Sequence, residues 1–148
     1  MKPAVAPCPI RPMTIADHDA VIRLWETTEG VGLSESDTRP AIESYLARNP
    51  SLSFVALAAD KIVGTVLCGH DGRQGYLHHL AVAMSHRGHG LGKLLVECCL
   101  SGLWKLGIPK CKIFPFADNA AGEDFWKHNG WLDRGDLRVM QKGTCLRA

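Results

Sequence analysis

The sequence predicts a mixed α+β fold, a mostly antiparallel sheet with helices on both faces in the order β-α-α-β-β-β-α-β-α-β-β. Three observations predict it. A short apolar start is followed by two segments with apolar residues at helical spacing; three strand-like runs then succeed one another across tight turns; and a long amphipathic segment separates the third run from the next. Tight turns join antiparallel neighbours, whereas a helical crossover makes a parallel pair.

Ile10-Arg11-Pro12 supplies the first strand, and Thr14 followed by Asp17 reads as a capping box ahead of Val21, Leu24 and Trp25. After a Gly- and Ser-containing loop over residues 30–36, Asp37 or Thr38 caps a second helix. That helix has Pro40 in its first turn, Ile42, Tyr45 and Leu46 on one face, and Asn49-Pro50 as its stop. The loop between the two helices is long enough to move. Residues 53–57 and 62–67 flank an Asp60-Lys61 turn, and a second turn at Asp71-Gly72 leads into a strand over residues 76–82. The helix over residues 91–106 carries Lys93, Glu97, Ser101 and Lys105 on its polar face and ends at Gly107 and Pro109. A strand over residues 111–114 follows, then a short helix capped by Asp118 or Asn119, running through Phe125 and Trp126 and ended by Gly130. Trp131-Leu132 and residues 137–141, joined through Gly135-Asp136, are expected to close the fold as a hairpin.

The 148 residues are the length of one domain, read as residues 9–148 behind an N-terminal tail of residues 1–8. With 46% hydrophobic and 22% charged residues the chain can bury a core. A formal charge of +2 is too balanced for a protein whose work is neutralising a nucleic-acid backbone. The most apolar stretch, residues 94–106, is interrupted by Glu97 and Ser101, so no membrane partner is expected. The opening MKPAVAPCP lacks the apolar centre of a secretory signal. Cys8, Cys68, Cys98, Cys99, Cys111 and Cys145 form no C-x-x-C and no framework spacing, which fits reduced thiols and a cytoplasmic location. His78, His79, His86 and His89 are close in sequence but have no zinc-ligand spacing, so no metal is expected.

The strongest chemical signal is Arg87-Gly88-His89-Gly90-Leu91-Gly92 between a strand and a helix. Glycines let backbone N–H groups approach an anion, the helix presents its positive end, and Arg87 and Lys93 add formal charge. A pyrophosphate suits such a loop. The dinucleotide fingerprint started at Gly88 requires glycine where Lys93 stands, and started at Gly90 it meets Leu95. A P-loop reading is one residue short and lacks the hydroxyl after the lysine.

What remains, [Arg/Gln]-x-x-Gly-x-[Gly/Ala], resembles the pyrophosphate loop of the GNAT N-acetyltransferase superfamily. The preceding Leu77-His78-His79-Leu80-Ala81-Val82 resembles that family's fourth strand. Asn119-Ala120-Ala121, with Phe125-Trp126 and Gly130-Trp131, resembles its segment into the fourth helix. The resemblance covers about residues 9–142 and implies acetyl-CoA as cosubstrate. By position it implies that the backbone of Leu80 and Val82 holds the pantetheine arm as an added strand. Arg87, Gly88, His89, Gly90, Leu91 and Gly92 would hold the pyrophosphate, with Lys93 just beyond. Asn119 would bond the arm from the other strand, and Phe125 would pack near it.

Acetyl transfer to an amine needs a neutral nitrogen, and an amine of pKa about 10.4 needs a base. His78 titrates near neutrality and is either that base or a polar residue lining the cleft; Tyr76 occupies the equivalent place in other relatives. Alternation puts His78 and Tyr76 on one face and His79 on the other, unless a bulge resets the register. The N–H of Val82 is the implied oxyanion donor. Trp126 stands where many relatives carry Tyr, and an indole N–H is no proton donor at neutral pH. The thiolate then takes its proton from solvent or from another group such as Tyr45 or His128, or the domain binds without turnover. Two readings follow: an N-acetyltransferase working by direct attack in a ternary complex, or a non-catalytic acyl-CoA-binding sensor. The acceptor would be a small-molecule or peptide amine entering between the helix-one/helix-two loop and the closing hairpin. Glu29, Glu35 and Asp37 either draw a cationic amine to that loop or are simply solvated. The resemblance also makes a homodimer a reasonable assembly.

Overall fold

A computed structural model describes residues 8–145, so the expected tail lies outside the described residues except for Cys8. The chain divides into two compact units, Met1–Phe116 and Ala117–Ala148.

In the first unit, β1 (Ile10–Pro12), α1 (His18–Glu26), α2 (Arg39–Arg48), β2 (Phe54–Ala58), β3 (Lys61–His70), β4 (Gly75–Val82), α3 (Leu91–Lys105) and β5 (Cys111–Lys112) follow in chain order. The sheet order is β1-β2-β3-β4-β5, antiparallel except for the final β4–β5 pair. Helices cover both faces, as the sequence predicts. Successive side chains of β3 point to opposite sides. Thr65 receives the indole N–H of Trp25 from α1 at 2.8 Å, whereas a Cβ on Gly64 would stand 3.0 Å from Leu95 of α3. The α1/α2 side buries Met13, Val21, Trp25, Ile42, Val55, Leu67 and Ala81 together. The α3 side packs Leu91, Leu95, Cys99 and Leu103 onto β3 and β4.

Local signals set the helix ends. Asp17 accepts the Thr14 N–H at 2.9 Å ahead of α1. Thr38 caps α2 through the Ala41 N–H at 3.3 Å, with Pro40 in the first turn, and Asp37 instead closes the 3-10 turn before it, accepting the Ser34 N–H at 2.9 Å. β5 is shorter than expected. It leaves β4 after Lys112, ahead of Pro115, which has no N–H for a ladder.

The second unit contains α4 (Ala120–His128), whose N-cap Asn119 accepts the Gly122 N–H at 3.1 Å. Gly130, at φ 88°, follows its C-terminus. The predicted closing hairpin does not form: residues 131–145 contain no strand. The turn exists, with Leu137 N–H bonded to Arg134 C=O at 3.0 Å and Arg134 paired to Asp136 at 3.0 Å. However, Leu132 is 87% exposed and Met140 93% exposed, and two strands without a buried face are marginal in water.

Candidate active site

The site is organised by an irregularity in β4. Thr65 pairs with Ala81 but Leu67 pairs with His78, so β4 carries an extra residue opposite Val66. His79 takes up that residue at φ 52°, and its C=O accepts the Thr65 hydroxyl at 3.1 Å. Trp25, Thr65 and His79 thus form one buried relay from α1 across β3 to the bulge.

The bulge corrects the expected alternation. His78 and Tyr76 do share the α2 side, being paired with Leu67 and Gly69. His79 does not point to the opposite face, because its ring lies 4.7 Å from that of Trp25 and its Nε2 is 2.8 Å from Asp37 Oδ1. An extra residue in left-handed backbone restores the side that a regular strand would have reversed.

Past the bulge, one edge of β4 is open. β5 pairs with β4 only at Gly75 and Tyr76, so among the described residues 77–82 have no strand partner on that side. Ala83 N–H bonds Val63 C=O at 2.8 Å. In an antiparallel ladder bonded and non-bonded pairs alternate, so Val82, opposite Gly64, turns its own N–H and C=O toward the open edge. Leu80 lies within the irregular stretch between the Thr65–Ala81 and Leu67–His78 pairs. Arg87 Nε donates to the Val82 C=O at 2.9 Å, which leaves the Val82 N–H as the available donor.

The open edge runs into the glycine loop. Gly88 and Gly90 lie at φ 81° and 79°, backbone that a side chain rarely adopts, and residues 87–90 are exposed. α3 starts without a side-chain cap, and its ladder begins with Leu94 N–H on Gly90 C=O at 3.1 Å. The earlier N–H groups point along the axis, where an anion is favoured. His89 and Lys93 are exposed beside them, but the Leu91 side chain is buried in the core, so its backbone alone can serve the loop.

The remaining predicted residues are placed as follows. His78 is exposed at the sheet surface, yet burial by its neighbours and the adjacent His79 hold its pKa below the ordinary imidazole value, so it is neutral at pH 7. Tyr76 O–H donates to Asp71 Oδ2 at 3.3 Å, and its pKa is raised, which makes it a donor rather than a base at neutral pH. Tyr45 is pushed far above 10 by burial and its hydroxyl has no partner, so it is a poor acid. Asn119 and Phe125 belong to the second unit, where Asn119 caps α4 and the Phe125 ring lies 5.1 Å from that of Trp126. Sequence reasoning did not anticipate the Asp37–His79 pairing or the role of Thr65, because partners far apart in the chain leave no local signal.

The profile of the Acetyltransferase (GNAT) family matches residues 18–131. This chain belongs to the GNAT acetyltransferase family. The acetyltransferase is 32% identical to Acetyltransferase SG1711 of Sodalis glossinidius over 71% of this chain and 73% of that one. It is 34% identical to Acetyltransferase YE1169 of Yersinia enterocolitica over 76% and 79%. Its fold matches the paia N-acetyltransferase of Thermoplasma acidophilum, solved with coenzyme A, at a TM-score of 0.73 and 20% identity, over 84% of this chain and 89% of that one. No helix among the described residues of the acetyltransferase is long and apolar enough to cross a membrane, and no group of three His, Cys, Asp or Glu there could hold a metal ion.

Proposed function

We propose that this acetyltransferase uses acetyl-CoA to acetylate a primary amine by direct attack in a ternary complex. The observation that carries the reading is the open edge of β4 over residues 77–82, continuous with the glycine loop at the head of α3. A pantetheine arm is itself a row of amides, and it pairs with a strand edge as another strand would. Its pyrophosphate then falls on the N–H groups of residues 88–93, flanked by Arg87, His89 and Lys93. The structural neighbour from Thermoplasma acidophilum is a coenzyme A complex, which supports this assignment.

In this reading the acceptor enters as an ammonium ion and His78, neutral at pH 7, removes one proton directly or through a water. The nitrogen lone pair forms the C–N bond, and the Val82 N–H stabilises the oxyanion. The C–S bond then breaks with its electron pair on sulfur, and the second nitrogen proton balances the thiolate through solvent. Tyr76, held protonated, is the nearby hydroxyl on the same face and orients the acceptor rather than deprotonating it.

Calorimetric titration with acetyl-CoA tests the reading, beside His89→Glu and Gly90→Asp. His89 is exposed, so His89→Glu changes charge without disturbing the core, whereas Gly90→Asp also strains a residue at φ 79°. Both variants are expected to weaken binding at least about tenfold while remaining folded. Acceptor-dependent release of CoA then separates catalysis from the sensor reading that Trp126 motivates. Tight binding with turnover no faster than hydrolysis would favour the sensor.

A further inference from the structure

The α2 side of β4 carries a row of aromatic rings drawn from three places in the chain. Phe114, just past β5, stacks on Tyr76 at 5.9 Å with planes 14° apart and on His78 at 6.4 Å with planes 20° apart. Tyr45 of α2 meets His78 edge-on at 6.4 Å. The strand partner of Tyr76 is Gly69, so no β3 side chain lies opposite Tyr76, although Leu67 lies opposite His78, and a Cβ on Gly69 would strike Tyr45 and Asn49 at 2.7 Å. Phe114 is 51% exposed, an unusual condition for a ring lying against the proposed base.

A second observation concerns charge. Gly32 lies against the Phe116 ring, so closely that a Cβ would stand 2.7 Å from its Cζ. The α1–α2 loop, with exposed Glu29 and Glu35, therefore borders the segment that carries Phe114. At the far end, Asp71 on the Tyr76 hydroxyl and Lys112, at the register position of Tyr76, have opposite charges. The surroundings are thus apolar and planar along the row and anionic on the loop side.

We infer that this row is the acceptor site and that the acceptor is a primary amine bearing an aromatic ring. The inference rests on the transferase reading and names its substrate class. The acceptor ring extends the Tyr76–Phe114–His78 stack, the carboxylates of Glu29 and Glu35 draw the ammonium, and its proton passes to His78. An aliphatic polyamine would meet the same carboxylates but gain nothing from the rings.

The test measures CoA release with acetyl-CoA saturating and 2-phenylethylamine, 2-cyclohexylethylamine and spermidine as acceptors, and NMR titration of each amine into the protein without acetyl-CoA. The phenyl compound is expected to exceed the cyclohexyl one by about five- to tenfold in kcat/KM and in affinity. Phe114→Leu should raise KM for 2-phenylethylamine by a similar factor with kcat and acetyl-CoA affinity kept, and Phe114→Tyr should restore it. Equal use of the phenyl and cyclohexyl amines, or a preference for spermidine that Phe114→Leu leaves intact, would overturn the inference. Failure of acetyl-CoA to bind while 2-phenylethylamine still shifts the resonances of His78 would overturn the transferase reading and uphold the aromatic-amine site.

Discussion

His79 Nε2 lies 2.8 Å from Asp37 Oδ1, tying the bulge of β4 to the turn that opens α2. The other Asp37 oxygen accepts the Ser34 N–H at 2.9 Å, and the Asp37 C=O meets His18 Nε2 at 2.9 Å. Asp37 is 6% exposed, and its removal takes this partner from the Ser34 N–H and from the half-buried His79 ring. Asp37→Ala is expected to cost about 1–3 kcal/mol and Asp37→Asn less. In a domain of this size that lowers the thermal midpoint by roughly 2–4 °C per kcal/mol, a shift that calorimetry would measure. Equal midpoints for Asp37→Ala and the parent would remove the pairing from any account of the bulge.

Gly75 is where β4, β5 and α3 come together. A Cβ on Gly75 would stand 2.5 Å from Leu103 Cδ1, and its N–H bonds Lys110 C=O at 2.9 Å. Gly75→Val should therefore overpack the α3 side and destabilise by about 1–3 kcal/mol, measurable in urea. Pairing it with Leu103→Ala should recover part of the loss, since the two positions share one volume.

Arg11 and Asp17 make two hydrogen bonds of 2.8 Å. The Arg11 guanidinium first, then the Thr14 N–H, hold the Asp17 carboxyl below its usual range against the opposing effect of burial. A carboxylate with a depressed folded pKa contributes stability that is present above 3.8 and is lost as pH falls through the folded pKa. Arg11→Ala narrows that window, so the acid-unfolding midpoint should rise toward neutral pH. An unchanged midpoint by circular dichroism would show that the pair is not linked to folding.

The pH profile of turnover tests His78. Its pKa lies below 6.5, chiefly because its neighbours take the ring out of water and secondarily because of His79. As a base it works neutral, so kcat/KM should fall as the pH drops through that lowered value and be flat just above 6.5. His78→Gln should remove this limb and slow transfer by about 10²–10⁴. Persistence of the limb in His78→Gln would assign the proton to another group.

What the chain alone determined is the local part of this architecture. The α2 cap at Asp37 or Thr38 with Pro40, the α4 cap at Asp118 or Asn119, and the glycines at 88 and 90 work through groups a few residues away, so spacing reveals them, and the structure selects Thr38 and Asn119. The meander and the crossover were also legible, because turn length constrains strand direction. The hairpin expected across Gly135-Asp136 does not form for the converse reason: a strand needs a partner and a buried face, and neither is encoded in the turn. Tertiary structure alone decided the side to which His79 points. One extra residue opposite Val66 overturns the facing of His79 drawn by counting, while His78 and Tyr76 keep theirs. It likewise decided the pairing of His79 with Asp37 and the stacking of Phe114 on Tyr76 and His78. Such contacts join separate elements, and they follow from how sheet and helices pack, a property that no local window of sequence contains.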